Sequence, residues 1–310
     1  MKNALFVVVA MAVAAGLLAA GWYASAPQHL NRAAAAAVGA PGDAAAGRIV
    51  FFASGCGSCH MSPGQSDLLR IGGGRPIQTS FGVFYAPNIS PDVTDGIGAW
   101  SAQDFARAVL LGVSPTGQHY YPVFPYSSYR RMTPTDVRDL YAFIRTLPAV
   151  SGRAPPGAPL LPYSIRRSIG LWKRLYAGAR PFPDAPGRDA AWRLGRYLVE
   201  GPGHCAECHS PRDILGGLVA HRRLTGGRSP NGGSFAPDIT AAGLKNWTTA
   251  QIAEALRTGA TPRGDMFEGL MAIVVRNLGE LPDSYRDAIA EYLKTVGAED
   301  APSGGVARQD

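Results

Sequence analysis

The sequence predicts a mainly α-helical protein in which two copies of one domain follow an N-terminal transmembrane helix. Three observations predict this class: a charge-free apolar segment near the N-terminus, short sequences that occur twice at a nearly constant offset, and few segments with the alternating pattern of a strand. At roughly 100 to 200 residues per domain, a chain of 310 residues has room for about two domains.

The N-terminal segment has the length and composition of a membrane anchor. Ala4 to Ala24 are 21 residues without a charge, and at about 1.5 Å per helical residue they cross a hydrocarbon core of about 30 Å. Trp22 and Tyr23 lie at the outer end, where aromatic side chains favour the headgroup layer. We predict a single-pass anchor in the inner (cytoplasmic) membrane, with the rest of the chain in the periplasm. A signal peptide cleaved after Ala24-Ser25-Ala26 is the alternative, and it delivers the protein to the same side.

Changes in composition and stretches rich in Pro or Gly divide the chain further. The predicted segments are an anchor (1–27), a tether (28–42), a first domain (43–150), a Pro-rich linker (151–187), a second domain (188–298) and a flexible tail (299–310). Within the linker, Tyr163 to Tyr176 has apolar residues at helical spacing with Arg and Lys between them, which predicts a short basic amphipathic helix. That helix either docks a partner or a membrane surface, or packs across the two domains.

Similar sequences recur in the two predicted domains. Gly47 and Gly195 are 148 residues apart and Trp100 and Trp247 are 147 apart, while Ala86-Pro87-Asn88-Ile89 corresponds to Ala236-Pro237-Asp238-Ile239. Each copy predicts the same helices: one with a small residue on its inner face, one capped by a hydroxyl after the Trp, and a terminal amphipathic helix. The predicted capping and opening residues are Ser101, Thr133, Thr248 and Pro282.

All four cysteines belong to two C-x-x-C-H motifs, Cys56-Gly-Ser-Cys59-His60 and Cys205-Ala-Glu-Cys208-His209. This is the attachment sequence of c-type haem, in which the thiols add to the vinyl groups and the His binds the iron. A zinc site needs four ligands and a dithiol exchanger does not need the His twice. We therefore predict two covalently bound haem c (iron), with His60 and His209 as proximal ligands and no disulfide.

The opposite iron ligands are harder to assign. In the second copy, Met271 lies in an apolar segment that we predict as a loop ahead of the last helix, and a thioether there raises the reduction potential; Met266 is the runner-up. The residue equivalent to Met271 in the first copy is Phe124, which cannot bind iron. Met132 would retain a His/Met pair, His119 would give bis-His ligation, and an open position is the third possibility.

The longer strings resemble a known family, the membrane-bound cytochrome c subunits of periplasmic alcohol and aldehyde dehydrogenases and related di-haem cytochromes. The strings that carry the resemblance are Gly203-His204 with the second motif and Ser210-Pro211-Arg212, Ala86 to Ile89 with Gly96 to Trp100, and Tyr121-Pro122-Val123-Phe124-Pro125-Tyr126. It implies class I cytochrome c domains. It also implies electron transfer from a periplasmic dehydrogenase subunit toward quinone, a terminal oxidase or a soluble cytochrome of the respiratory chain. Those subunits usually have three haem domains, and their Met in the Pro-Tyr loop is Phe124 here.

Other functions have less support in the sequence. The net charge of +7 comes from scattered residues without a Lys/Arg run, which argues against nucleic acid and for acidic partners or anionic headgroups. Gly72-Gly73-Gly74 lacks the strand-to-helix context of a dinucleotide site and suits a loop at a haem edge. We expect an electron-transfer subunit that is not catalytic alone. Alternatives are a di-haem peroxidase with an open first haem, a thiosulfate-oxidising cytochrome, or an assembly subunit of an oxidase.

Overall fold

The computed structural model describes residues 2–161, 163–178, 182, 185–228 and 235–297, so the predicted tail lies outside the described residues. The fold is mainly helical. The helices are α1 (Lys2–Ala24), α2 (Arg32–Gly39), α3 (Ala44–Ala53), α4 (Cys56–His60), α5 (Ala102–Leu111), α6 (Tyr126–Tyr129), α7 (Pro134–Ile144), α8 (Ser168–Tyr176), α9 (Ala190–Glu200), α10 (Ala206–His209), α11 (Thr249–Thr258), α12 (Gly269–Gly279) and α13 (Asp283–Leu293).

The described strands are short and antiparallel. The first sheet has the order β1 (Pro76–Thr79), β2 (Gly82–Tyr85), β3 (Ala158–Pro159), with Ile77 opposite Phe84 and Val83 opposite Ala158. The second sheet pairs β4 (Gly227–Arg228) with β5 (Phe235–Ala236). The sheets lie at the edges of a helical core, which agrees with the sparse strand pattern of the sequence.

The first and last helices of each half cross at a glycine. Here the first half is residues 43–150 and the second half is residues 188–297. A Cβ on Gly47 of α3 would lie 1.9 Å from the carbonyl oxygen of Asp139 on α7, and a Cβ on Gly195 of α9 would lie 1.9 Å from that of Ala288 on α13. Only glycine allows these approaches, so the predicted small residue on the inner face is confirmed in both halves.

The predicted helix caps are also present. Ser101 and Thr248 form capping boxes with Asp104 and Gln251 at the start of α5 and α11, which satisfies backbone N–H groups that have no partner within the helix. Both helices end at a glycine in the left-handed region, Gly112 (φ 60°) and Gly259 (φ 85°). Thr133 caps α7 and Pro282 precedes α13, as expected.

Two segments differ from the prediction. Residues 32–39 of the predicted tether form α2, which begins at the Asn31 cap and buries Val38 in the core beside α5 and α7. An Ala-rich segment resembles a linker by composition, but here the Asn31 cap and the burial of Val38 stabilise a short helix. Met271 lies on helix α12 and not in a loop; the chain turns into this helix at Gly269, which is in the left-handed region (φ 58°).

The predicted linker helix is present as α8, which begins five residues later than the start of the predicted span. It packs across both halves. The Trp172 indole donates to the carbonyl of Leu215 at 2.8 Å, and the Lys173 ammonium donates to the carbonyls of Leu111 and Gly112 at 2.8 and 2.6 Å. The interpretation of a helix packed across the halves therefore fits the structure.

We expect Gly47→Ala and Gly195→Ala each to lower the free energy of unfolding, because the new methyl group meets a backbone carbonyl that cannot move alone. Overpacking of this kind costs about 1–3 kcal/mol. Chemical denaturation of the holoprotein measures the change. Gly178→Ala is the matched control, since its Cβ would have no heavy atom within 4 Å. Equal stability of all three variants would contradict the close crossings.

Candidate haem-binding sites

The first C-x-x-C-H motif forms the short helix α4 directly after α3. Gly55, in the left-handed region (φ 59°), turns the chain between the two helices. Cys56 and Cys59 are one helical turn apart and both are free thiols. Gly57 between them is buried, and a Cβ there would lie 2.5 Å from the carbonyl oxygen of Leu68. The backbone of α4 thus packs closely on one side and presents both thiols together.

The imidazole of His60 is held by a backbone carbonyl. Its Nδ1 lies 2.8 Å from the carbonyl oxygen of Pro87, and because a carbonyl only accepts, Nδ1 carries the proton. Nε2 then has the lone pair that an iron needs, and the hydrogen bond fixes the plane of the ring. The carbonyl of His60 accepts the N–H of Gly73 at 2.7 Å, and a Cβ on Gly73 would lie 2.4 Å from the carbonyl carbon of Pro87. The Gly-rich loop therefore closes over the motif.

The second motif repeats this geometry. Nδ1 of His209 lies 2.7 Å from the carbonyl oxygen of Pro237, and the carbonyl of His209 accepts the N–H of Gly226 at 2.9 Å. Gly226 is in the left-handed region (φ 86°), as Gly73 is (φ 71°). The Ala-Pro-Asn/Asp-Ile repeat has no recognisable role in the sequence alone. The structure shows that its proline carbonyls orient the two imidazoles.

The donor set fits a covalently attached porphyrin. Burial lowers the pKa of His60 and His209, which keeps both imidazoles neutral, and it raises the pKa of Cys56 and Cys205 to about 12. Thiols with so high a pKa are poor exchangers. Among the described residues, no group of three or more His, Cys, Asp or Glu is placed to hold a metal ion. Two thiols and one imidazole with a free Nε2 are what a c-type haem requires of each site.

Comparison with known proteins agrees with this geometry. The cytochrome c family profile matches residues 44–148. A di-haem c-type cytochrome of Cereibacter sphaeroides is 45% identical over 262 residues, which are 84% of this chain and 88% of that protein. The chain belongs to the di-haem c-type cytochromes. Covalently bound haem c is therefore its family's cofactor.

Cytochrome subunits of two dehydrogenases are similar as well. The gluconate 2-dehydrogenase cytochrome c subunit of Pantoea cypripedii is 35% identical over 267 residues, covering 82% of this chain and 60% of that subunit. The fructose dehydrogenase cytochrome subunit of Gluconobacter japonicus is 34% identical over 263 residues, covering 83% of this chain and 53% of that subunit. This cytochrome thus spans little more than half the length of these two relatives.

The candidates for the opposite iron ligands occupy different environments. Met132 is 3% exposed within the core, Met271 is partly buried against the same core, and Met266 is 59% exposed. His119 and Met266 are equivalent, since they pair with Val113 and Ala260 in matching bridges. The His119 side chain is buried with Nε2 2.8 Å from the carbonyl oxygen of Ser25, just beyond the last residue of α1.

Phe124, in the equivalent place to Met271, is part of an aromatic cluster. Its ring centroid lies 5.6 Å from that of Tyr129 and 6.2 Å from that of Tyr126. Tyr129 in turn donates its hydroxyl proton to the carbonyl of Ser54, two residues before Cys56, at 2.9 Å. The loop that contains Phe124 is therefore packed directly against the approach to the first motif.

Each motif of this cytochrome is also held by residues from the other half, which sequence analysis missed. His204, just before Cys205, packs its ring against Tyr129 of the first half, with centroids 5.5 Å apart. Burial lowers the pKa of His204, and the backbone of Ser54 in the first half opposes that change. The Asn277 amide on α12 donates to the hydroxyl of Ser58, inside the first motif, at 2.9 Å. Ser54 lies just before the first motif and Ser58 lies inside it. In the sequence alone, nothing indicates that this motif needs contacts from the other half.

The buried carboxylate of Glu207 links the second motif to the first half. It accepts from the hydroxyl of Ser128 at 2.9 Å and pairs with Arg212 at 2.6 Å. Burial raises the pKa of Cys208 to about 11; Glu207 adds to this, Arg212 opposes it, and Cys59 of the other motif also raises it. The two motifs are therefore neighbours, and polar residues inside the C-x-x-C-H spacing were the sequence signal that could have revealed the contact.

Proposed function

We propose that this cytochrome is a membrane-anchored electron carrier with two tandem class I cytochrome c domains, residues 43–150 and 188–298, each with one haem c. It takes electrons from a periplasmic dehydrogenase and passes them toward quinone, a terminal oxidase or a soluble cytochrome. The observation that carries the proposal is the repeated geometry of His60 and His209, each with Nδ1 fixed by a proline carbonyl and Nε2 available for iron.

The cysteines and the histidine of each motif have different roles in holding the haem. Cys56 and Cys59, and likewise Cys205 and Cys208, would hold the porphyrin, while the imidazoles of His60 and His209 would bind the irons. Bound haem supplies one-electron chemistry between Fe(III) and Fe(II). The carbonyls of Pro87 and Pro237 keep the imidazole planes and tautomers constant through that change of charge.

For the opposite ligands we propose Met132 in the first site and Met271 in the second. The two alternatives fit less well. Nε2 of His119 already lies 2.8 Å from the carbonyl oxygen of Ser25, and the side chain of Met266 is largely exposed. A buried thioether is an apolar side chain that stays neutral next to iron, and it favours Fe(II). Two His/Met sites suit a carrier that both accepts and releases electrons.

The membrane part of the proposal rests on α1. This helix has 23 residues, is long and apolar enough to cross a membrane, and has no buried residue. We propose that it spans the inner membrane and leaves the haem domains in the periplasm. The similar gluconate and fructose dehydrogenase cytochrome subunits favour a dehydrogenase as the donor and favour a carrier over a peroxidase.

We expect Met132→Ala and Met271→Ala each to lower one midpoint potential and to let the ferrous protein bind carbon monoxide, because loss of a thioether opens the iron. Redox titration and carbon monoxide difference spectra measure this in protein shown by pyridine haemochrome to hold two haems per chain. His119→Ala and Met266→Ala are the controls, since these two residues occupy equivalent positions in the two halves and are not the proposed ligands. Both variants should leave the two midpoint potentials unchanged. If His119→Ala opens the first haem and Met132→Ala does not, the first assignment is wrong.

We expect oxidised cytochrome to be reduced by a dehydrogenase of the gluconate, fructose or alcohol class only when enzyme and substrate are both present. The assay uses the catalytic subunit freed of its own cytochrome and follows the visible haem bands. Substrate alone and enzyme alone are the controls. Reduction by substrate alone, or sustained turnover of hydrogen peroxide, would contradict a carrier; no reduction by any of the three would contradict this donor class.

A further inference from the structure

The outer end of α1 is fixed to helix α8 by hydrogen bonds to its last carbonyls. Arg167 Nη2 donates to the carbonyl of Trp22 at 2.8 Å, and Arg174 Nε donates to that of Ala24 at 2.9 Å. The Arg167 guanidinium also lies 4.1 Å from the centroid of the Trp22 ring. Cations stabilise the negative C-terminal end of a helix dipole. The level of α8 along the axis of α1 is therefore set by these contacts.

The two faces of α8 differ in what they contact. Ile169, Trp172 and Lys173 are buried against the haem-binding halves. On the opposite face, Leu171 is 43% exposed and Leu175 is 69% exposed, one turn apart. The segment before α8 adds further exposed apolar side chains, Leu160, Leu161 and Ile165. Such a cluster beside the end of an apolar helix is not a typical water-facing surface.

Positive charge surrounds this apolar cluster. Arg166, Arg167 and Arg174 have no ion pair with a carboxylate in the part of the chain that the structure describes, and they bond to backbone carbonyls, a Ser hydroxyl and aromatic rings instead. A guanidinium has five N–H donors, so each has donors left after these bonds. Guanidinium groups bind phosphate oxygens well.

We propose that the outer face of α8, with Leu160, Leu161 and Ile165, lies in the headgroup layer of the membrane and binds anionic phospholipid through its arginines. The inference rests on the proposed membrane anchor. If α1 spans the bilayer, Trp22 and Tyr23 lie at headgroup level, and Arg167 on the Trp22 ring puts α8 at that same level. A helix with exposed Leu and Arg is the type that lies in this layer.

This contact holds the haem domains at one tilt and height above the membrane. A single spanning helix alone would let them tilt relative to the membrane surface. Here α8 contacts α1, the first half through Lys173 and the second half through Trp172. A lipid-bound α8 therefore fixes which surface of each half faces the periplasm and which faces the bilayer.

Site-specific fluorescence tests the inference in full-length holoprotein reconstituted into vesicles. The four native cysteines are those assigned to haem, so Leu175→Cys offers one thiol for a polarity-sensitive nitrobenzoxadiazole label. In vesicles of phosphatidylcholine with phosphatidylglycerol, we expect a blue-shifted emission, quenching by headgroup-level nitroxide lipid and protection from iodide. The protection should be weaker in vesicles of phosphatidylcholine alone. Ser284→Cys, exposed on α13, is the control and should be quenched by iodide only.

A third label, at Leu17→Cys inside α1, separates the inference from the anchor. Quenching of the Leu17 label by nitroxide deep in the acyl chains, together with iodide quenching of the Leu175 label equal to that at Ser284, would overturn the lipid contact alone. It would leave that face to a protein partner. Iodide access to the Leu17 label would overturn the anchor itself. Equal protection at Leu175 with and without phosphatidylglycerol would overturn the recognition of anionic headgroups.

Discussion

The crossing of two helices at a glycine fixes the rest of each half. At Gly47 and Gly195 the first helix approaches the last until backbone meets backbone, so neither helix can slide or rotate without a clash. The haem motif follows the first helix immediately, and the candidate Met132 lies just before the last helix of the first half. A rigid crossing therefore sets where the thiols, the imidazole and, in the first half, the Met132 side chain lie relative to one another.

The position of each imidazole also depends on backbone atoms, which cannot be recognised from residue types in the sequence. The oxygens that hold His60 and His209 belong to Pro87 and Pro237, and any residue supplies a carbonyl. The prolines and the neighbouring glycines serve to bring that carbonyl to the ring. A search of the sequence for polar side chains does not find such contacts. The recurrence of Ala-Pro-Asn/Asp-Ile in both halves is the sequence feature that indicates them.

Local signals were predictable and tertiary ones were not. The capping boxes at Ser101 and Thr248 and both haem motifs follow from spacing alone, because they depend on neighbours within a turn of helix. Helix α2 depends on where Val38 finds a groove, and the hydrogen bond from His119 to Ser25 joins residues 94 apart in sequence. From composition alone, the residues of α2 are predicted to form a tether. From the alignment of the two repeats, His119 is a candidate iron ligand.

The contacts between the halves make the two sites one unit. Glu200 accepts from Arg223 at 2.5 Å and from Tyr292 at 3.1 Å, and it pairs across the halves with Arg131 at 3.6 Å. With Glu207, Asn277 and His204, it fastens the two haem-binding segments together. A carrier whose two sites form one unit should pass electrons between its haems within one molecule, and flash reduction with less than one electron per chain tests this central expectation most directly. Transfer within one molecule predicts redistribution between the haems at a rate independent of protein concentration; a rate that rises in proportion to concentration would contradict it.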